Sequence, residues 1–205
     1  MTNEELDEFF KSDKSDWYTI DSENKKIWNE NLLKIYCANL PKFLGLNNNE
    51  LRDLTIPKID PHILREETQN IKIDNIVFTD CIFLDQVYFQ YTSFKGFKFS
   101  SCRFEEGVSF DSSKIDSIHV NSSSSGGSVS IFNSTVKFLH ISGCKIFGSI
   151  NILDTTFEKV LRIDNISISN SLSFKDCNFS TEQEGFFTDF SEIDLKLLDY
   201  KWFSF

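Results

Sequence analysis

The chain lacks the features that would assign it to a membrane or to an oxidising compartment. No apolar run reaches the roughly 18–20 residues that span a bilayer. The N-terminus is acidic and polar, whereas a signal peptide is basic and then apolar. The five cysteines are odd in number, which argues against a disulfide framework and favours buried free thiols. These observations predict a cytoplasmic protein that has no membrane partner.

Positive charge is also in short supply. The chain contains 21 Lys and Arg residues against 31 Asp and Glu residues, a formal net charge of −10. This balance argues against binding to nucleic acid or to an anionic membrane, and it permits a cationic partner. The acidity belongs mainly to the ends of the chain: the net charge is −5 over residues 1–70, −1 over 71–180 and −4 over 181–205.

Sequence signatures of catalysis are missing as well. The chain has no glycine loop that would cradle a phosphate, no zinc-type pairing of Cys and His, and no nucleophile-elbow motif. We therefore predict that the protein is not an enzyme and that it has no catalytic residue, no metal site and no cofactor.

What the sequence does contain is a repeat of 21 residues, which extends over residues 71–179. Cys81, Cys102, Ser123 and Cys144 each begin a triplet in the same register. Large apolar residues recur mostly in steps of five, and a step of six in each coil completes the period; a second step of six later lengthens it to 22. Because alternate residues of a strand share a side, this spacing predicts coils with four short inward-facing strands.

Each face also points inward two residues earlier, and these second positions form two bulky and two small columns. The bulky columns are Val87, Val108, Val129, Ile150, Leu172 and Ile76, Phe97, Ile118, Leu139, Leu161. The small columns are Thr92, Ser113, Ser134, Thr155, Cys177 and Cys81, Cys102, Ser123, Cys144, Ile166. Opposed columns of matching size fill a square interior without voids. The inward hydroxyls must find backbone partners to avoid a loss of stability.

The Ser/Gly-rich stretch at residues 121–127 has the composition of a flexible linker. Its length nevertheless keeps the register, since Val120 and Ile131 are separated by one step of five and one of six. We interpret it as a degenerate face with a glycine corner, in which Ser125 underfills the core. A bulged loop of the same length is the alternative.

The small-x-large triplets, among them Cys81-Ile-Phe83, Thr155-Thr-Phe157 and Cys177-Asn-Phe179, resemble the pentapeptide-repeat family. The resemblance covers residues 71–179 and implies a right-handed quadrilateral β-helix, here of about five coils of 21–22 residues. The steps of six, and Val, Ile or Leu at many small positions, depart from the family. These departures leave a wider or three-sided helix open. Some members of the family protect gyrase by mimicking DNA, and they dimerise through a C-terminal element.

Residues 1–70 lack the repeat and are predicted to form a helical N-terminal cap. A short acidic helix is predicted over residues 4–11, and a longer one that is capped by Asp21 or Ser22 and ended or kinked by Pro41. A further helical turn is predicted over residues 48–54. A closed column of strands needs such a cover, because an open end exposes apolar surface and unpaired strand edges.

Residues 181–205 leave the register and are predicted to form a C-terminal cap or an interface segment. Helical spacing relates four of them: Phe186, Phe190, Ile193 and Leu197. The chain then ends on an aromatic tail: Tyr200, Trp202, Phe203 and Phe205. Aromatic residues are enriched in interface cores, so the tail is a candidate interface. The resemblance to the pentapeptide-repeat family implies that a homodimer could form through this segment.

Two outward surfaces are candidate binding sites. The first, the basic ladder, is Lys98, His119, His140 and Arg162, flanked by Arg103 and Lys145. It is either a solvated strand face or a stripe that binds carboxylates or other anions. The second is an apolar patch near one corner, composed of Phe132, Phe147 and Leu153. Exposed apolar clusters indicate contact, either with a partner or with a terminal segment of the chain.

These observations favour a non-catalytic protein–protein interaction module or inhibitor, a rigid rod whose partner is another protein. The alternatives are a DNA-mimicking inhibitor or protector of a topoisomerase or other DNA-binding enzyme, and a toxin immunity protein. DNA carries one negative charge per ~1.7 Å of axis, whereas residues 71–180 are nearly neutral. The charge distribution therefore weakens the hypothesis of DNA mimicry.

Overall fold

The protein is a parallel β-solenoid of about five turns with helices at its N-terminus. The computed structural model describes residues 1–58, 75–91 and 93–179, together with the backbone of two later strands at residues 185–188 and 198–199. The prediction of a mainly β fold built as a β-helix of about five coils is confirmed.

Over residues 1–58, the N-terminal region contains two helices and one hairpin. Helix α1 (Asn3–Lys11) is followed by a 3₁₀ turn (Ser15–Trp17) and by the antiparallel strands β1 (Tyr18–Ile20) and β2 (Lys26–Trp28). Helix α2 (Glu30–Leu46) then leads into the solenoid.

The solenoid strands follow in groups that repeat with the coil. The first are β3 (Glu50–Arg52), β4 (Thr55–Ile56), β5 (Asn75–Thr79), β6 (Ile82–Phe83) and β7 (Val87–Gln90). The central coils contain β8 (Ser93–Ser100), β9 (Arg103–Phe104), β10 (Val108–Asp111), β11 (Lys114–Asn121), β12 (Ser124–Ser125) and β13 (Val129–Phe132). The next strands are β14 (Thr135–Ser142), β15 (Lys145–Ile146), β16 (Ile150–Leu153), β17 (Thr156–Asp164), β18 (Ser167–Ile168) and β19 (Leu172–Lys175). The last are β20 (Asn178–Phe179), β21 (Gly185–Thr188) and β22 (Leu198–Asp199).

Three parallel sheets run the length of the solenoid. Sheet A contains the long strands β8, β11, β14 and β17 with β3, β5, β20 and β21. Sheet B contains the two-residue strands β4, β6, β9, β12, β15 and β18, and sheet C contains β7, β10, β13, β16, β19 and β22. Each strand pairs with its equivalent in the next coil, so that side chains of one column stack at the strand spacing of about 4.8 Å.

The four predicted faces are present, although they are distributed over three sheets. In β11 both Ile115 and Ile118 are buried, and the two residues between them are less buried. The strand therefore turns a corner there, and it stays paired with β14 on both sides of the corner. Two further corners in each coil have a residue with positive φ, as at Ser112 and Ser122. The fourth corner follows each strand of sheet B, for example at residues 126–127. In β17 one extra residue is inserted at the corner that lies inside the long strands of sheet A, and it lengthens this coil to 22 residues.

The interior confirms the predicted columns. Every described residue of the two bulky and two small columns is buried. The first coils are filled by stacked phenylalanines, with ring centroids 5.1 Å apart for Phe78 and Phe99 and 4.7 Å apart for Phe83 and Phe104. The inward hydroxyls are satisfied as expected: Ser123 Oγ donates to the carbonyl two residues earlier at 2.9 Å and accepts from the Cys102 N–H at 3.1 Å. All five cysteines are free and buried, as predicted.

The Ser/Gly-rich stretch is a regular face of the solenoid. Ser124 and Ser125 form β12, which pairs in register with β9 and β15. Ser125 is buried between Phe104 and Ile146, and its hydroxyl donates to the Gly127 carbonyl at 3.0 Å. The interpretation as an in-register face is therefore confirmed, and the alternative of a bulged loop is wrong.

The prediction for the second helix is wrong at its start, and the alternative that Pro41 ends it is also wrong. Asp21 belongs to the turn of the β1–β2 hairpin, where its carboxylate accepts from the Lys25 N–H at 2.8 Å. The helix begins only after Asn29, whose side chain caps it. Pro41 lies inside α2 and does not end it; α2 continues to Leu46. Proline removes one backbone donor, and here its ring is buried among apolar neighbours.

The solenoid also extends beyond the predicted boundaries at residues 71 and 180. The segment at 48–54, predicted as a helical turn, contains β3, which pairs with β5 across a coil of 27 residues. At the other end, Phe186 was predicted to lie in a helix but belongs to β21, which pairs with β17. Paired residues of β17 and β21 are 25 positions apart in the sequence, whereas those of β17 and β20 are 22 positions apart. The three additional residues shift the repeat, so its register is not visible in the sequence here. Phe190, Ile193 and Leu197 lie outside the described residues.

The described N-terminal residues pack against the solenoid through one hydrophobic cluster. Phe10 stacks on Phe43 with ring centroids 4.2 Å apart, and both join one hydrophobic cluster with Leu51 and Phe83 of the solenoid. The β1–β2 hairpin lies along one side, where Lys26 Nζ is 3.2 Å from a carboxylate oxygen of Glu105 and the Trp28 indole donates to Asp85.

Candidate basic interface

The basic ladder exists as a continuous column on the outer face of sheet A. His119 is paired in register with Lys98 on one side and with His140 on the other, and His140 is paired with Arg162. Lys98 and Arg162 are exposed, whereas the two histidines are half-buried. The four side chains span three strand spacings, about 14 Å along the axis. The repeat alone brings these residues together from four coils.

The two flanking cations belong to a second column, on sheet B. Arg103, Ser124, Lys145 and Ser167 are paired in register there. The corner between the two sheets contains a groove of about 430 Å³. Its lining includes Arg103, Lys145 and the corner residues Ser101, Ser122, Gly143 and Asn165. The two flanking cations thus line this polar groove, whereas the four ladder residues lie on the neighbouring face of sheet A and are not among the residues that line it.

Two of the four cations in this region are partly neutralised. Arg162 donates through Nε to Asp164, and an Arg103 guanidinium nitrogen lies 3.4 Å from a Glu105 carboxylate oxygen. Within the described part of the chain, Lys98 and Lys145 form no ion pair. The Lys145 ammonium group instead lies 4.8 Å from the centre of the Phe147 ring. These two lysines therefore contribute most of the uncompensated charge.

The histidines reduce the repulsion within the ladder. Burial, together with the neighbouring His140 and Lys98, lowers the pKa of His119 below its ordinary value of 6.5. His119 is consequently neutral near pH 7, which separates Lys98 from the rest of the column. The rings of His119 and His140 meet edge to face with centroids 6.0 Å apart.

Asp164 organises the far end of the ladder, and the sequence interpretation missed it. Its carboxylate accepts from Arg162 and from the Ser142 hydroxyl, and one oxygen lies 3.6 Å from His140 Nε2. Burial opposes its ionisation, but these hydrogen bonds outweigh that effect and lower its pKa. The alternation of side chains along a strand could have identified Asp164, because it lies two residues after Arg162 and therefore on the same side of the strand.

The apolar patch is only partly assembled. Phe132 and Leu153 stack in register at the ends of β13 and β16, and both are half-buried. Phe147 is exposed, but it lies at the corner before β16 and therefore at the opposite end of the same face. The prediction of one cluster near one corner is wrong for Phe147, because the four-residue strand separates it from the other two.

The remaining candidates can be placed only in part. The aromatic tail of Tyr200, Trp202, Phe203 and Phe205 lies outside the described residues. Across the ranges that the structure describes, no group of three or more His, Cys, Asp or Glu side chains is arranged to hold a metal ion. None of the helices in those ranges is long and apolar enough to cross a membrane.

Comparison with known proteins assigns no family: no protein-family model, no curated protein and no solved structure matches the chain.

Proposed function

We propose that this protein is a non-catalytic binding module, which uses its solenoid as a rigid support and its basic ladder as the contact surface for an acidic protein. The observation that carries the proposal is the in-register stacking of the ladder, with two lysines that have no ion pair among the described residues. A solenoid holds such side chains at fixed separations, so a partner meets a preorganised surface and less conformational entropy is lost on binding.

The compartment and the family belong to the same proposal. Five buried free thiols are consistent with the cytosol, where thiols stay reduced. Membership of the pentapeptide-repeat family rests on the triplets, with the quadrilateral arrangement of the coils as support. An inhibitor or immunity role is one biological use of such a module.

The test is affinity capture from an extract of the source cells with two charge-reversal variants. Lys98→Glu/Lys145→Glu reverses the ladder, and Lys114→Glu/Lys175→Glu makes the same change of net charge at exposed positions outside the ladder and its flanking column. We expect the first variant to lose at least tenfold of the captured partner and the second to retain it. Equal capture by both variants would contradict the proposal.

DNA mimicry by the rod makes a different prediction. It requires columns of carboxylates at the density of DNA phosphates, whereas the residues of the basic ladder are basic or neutral. A supercoiling assay with purified gyrase distinguishes the two functions. We expect no dose-dependent inhibition or protection; either effect would favour DNA mimicry.

A further inference from the structure

The basic ladder combines two groups of fixed charge with two groups that titrate. His119 and His140 occupy the middle of the column, in register with each other, and Lys98 and Arg162 occupy its ends. Histidine changes its charge between about pH 5 and pH 8. The positive charge of this surface therefore rises as the pH falls.

One ring nitrogen of His140 faces a carboxylate. Its Nε2 is buried, forms no hydrogen bond within the part of the chain that the structure describes, and lies 3.6 Å from Oδ2 of Asp164. This distance is too long for a hydrogen bond. A neutral imidazole carries hydrogen on one nitrogen only, whereas the protonated ring donates from both. Protonation therefore makes Nε2 a charged donor that faces Asp164, and the contact becomes an ion pair.

Arg162 uses the same carboxylate oxygen. Its Nε donates to Oδ2 of Asp164, and the Ser142 hydroxyl donates to Oδ1. Once His140 is protonated, two cations share Oδ2, and Asp164 compensates the charge of Arg162 less completely. Acid thus increases the charge that is available to a partner in two ways, through the proton on His140 and through the partial release of Arg162.

The other charged side chains of these strands lie farther along the surface. They are at or before the corner inside the long strands of sheet A, where Lys137 Nζ pairs with Asp116 at 2.7 Å. The remaining charged residues of β8, β11, β14 and β17 there are Lys95, Lys114, Glu158 and Lys159. The charged groups next to the two rings are consequently those of the ladder itself and Asp164.

We propose that the basic ladder binds its acidic partner together with protons, so that the affinity rises as the pH falls from 7.5 to 5.5. This inference rests on the proposed function and adds the regulation of the same site. Each end cation is one strand spacing, about 4.8 Å, from a histidine of the same column, so a partner that pairs with Lys98 or Arg162 brings anionic groups next to a ring. Anionic groups stabilise the protonated rings, and by linkage the protonated rings bind the anions more tightly.

The experiment uses the full chain and a peptide whose acidic side chains are sulfonates, as in cysteic acid. Sulfonates stay ionised over this pH range, so a change of affinity with pH belongs to the protein. Fluorescence anisotropy at low salt should show about tenfold tighter binding at pH 5.5 than at pH 7.5. Equal affinity at the two pH values, or no binding at 1 mM peptide, would overturn the proposal.

Histidine variants identify the groups that take up the protons. In His119→Asn/His140→Asn, the ratio of the affinities at pH 5.5 and pH 7.5 should fall below about threefold. The matched control is His62→Asn, which removes the third histidine of the chain, a residue outside the described ones. This control should retain the ratio of the wild type. A double variant that keeps the full pH dependence would contradict the proposal.

Asp164→Asn tests the shared carboxylate. Removal of its charge frees Arg162 and takes away the anion that faces His140. We expect this variant to bind the peptide about fivefold tighter at pH 7.5 and to gain less affinity on acidification, because the release of Arg162 no longer requires a proton. Unchanged affinity at pH 7.5 would contradict the role given to Asp164.

Calorimetry measures the protons directly. Binding enthalpies at pH 6.5 in two buffers of different ionisation enthalpy should show net uptake of protons by the complex, and the His119→Asn/His140→Asn variant should take up fewer. Net release, or no exchange, would be incompatible with the proposed coupling.

The two proposals fail in different ways. If Lys98→Glu/Lys145→Glu abolishes capture of the cellular partner but the affinity for the peptide is independent of pH, the basic ladder is an interface and the coupling to protons is wrong. If that variant captures the partner as the wild type does, the proposed function itself is wrong.

Discussion

His119 couples the basic ladder to pH. Its pKa is lowered by burial and by the neighbouring His140 and Lys98. Because the folded state binds this proton less tightly than the unfolded chain does, the contribution of His119 to stability is present above pH 6.5 and is lost as the pH falls below that value. We expect His119→Asn to reduce the loss of unfolding free energy between pH 7 and pH 5, measured by urea denaturation.

Lys98→Met provides the corresponding site-specific test. Removal of the neighbouring positive charge should raise the pKa of His119 in an NMR titration, and Lys114→Met, outside the ladder, should leave it unchanged. A His119 pKa that does not respond to Lys98→Met would show that the ladder is electrostatically uncoupled.

Tyr36 is a second residue with a specific prediction. Its side chain is fully buried in α2, and its hydroxyl has no hydrogen-bond partner among the described residues. A buried hydroxyl without a partner costs about 1–3 kcal/mol, so Tyr36→Phe should stabilise the protein by about 1 kcal/mol. Thermal and urea denaturation measure the change, and a destabilised variant would show that the hydroxyl has a partner in solution.

At the scale of elements, the glycine corner after β12 is determined by the distance between coils. A Cβ on Gly126 would lie 2.1 Å from the Glu105 carbonyl oxygen, and one on Gly127 would lie 2.3 Å from that of Glu106. Neighbouring backbones approach here more closely than any side chain allows. The close approach requires glycine at both positions, so these two residues of the Ser/Gly-rich stretch belong to the corner of a regular coil and not to a flexible linker.

We expect Gly126→Ala to destabilise the protein by about 1–3 kcal/mol, because the backbone has to shift to relieve the overlap. Gly45→Ala is the matched control: Gly45 lies in α2 with nothing within 4 Å of its Cβ position. That change should be neutral or stabilise by up to about 1 kcal/mol. Equal effects of the two substitutions on the urea midpoint would contradict the close approach of the coils.

The N-terminal elements show where local patterns mislead. Ile27 and Trp28 have helical spacing relative to α2, but they form β2, since Asp21 and Asn24 make a tight turn that folds β2 back onto β1. The Trp28 indole then reaches Asp85 in the solenoid. The hairpin thus combines a local turn with a contact to a residue 57 positions away, which a window of neighbouring residues does not contain.

At the scale of the whole molecule, the cap and the solenoid share one hydrophobic cluster. Residues of α1 and α2 belong to the same cluster as the interior columns. We therefore expect one cooperative unfolding transition. In a Trp202→Phe variant, fluorescence of Trp17 and Trp28 reports on the cap and far-UV circular dichroism reports on the strands. The two urea curves should coincide. Separate midpoints would show that the cap unfolds independently of the solenoid.

The repeating part of the molecule can be derived from the amino-acid sequence. A period of 21–22 residues with paired inward positions specifies the coil, the buried columns and the stacking of Lys98, His119, His140 and Arg162, because every coil imposes the same constraint on its neighbours. Other features follow only from the three-dimensional fold: the β1–β2 hairpin, the extension of the sheets to β3 and β21, and the pairing of Arg103 and Arg162 with carboxylates, which leaves Lys98 and Lys145 as the cations of this region without an ion pair among the described residues. Those features depend on contacts between segments with no common period, and the register of the repeat carries no information about them.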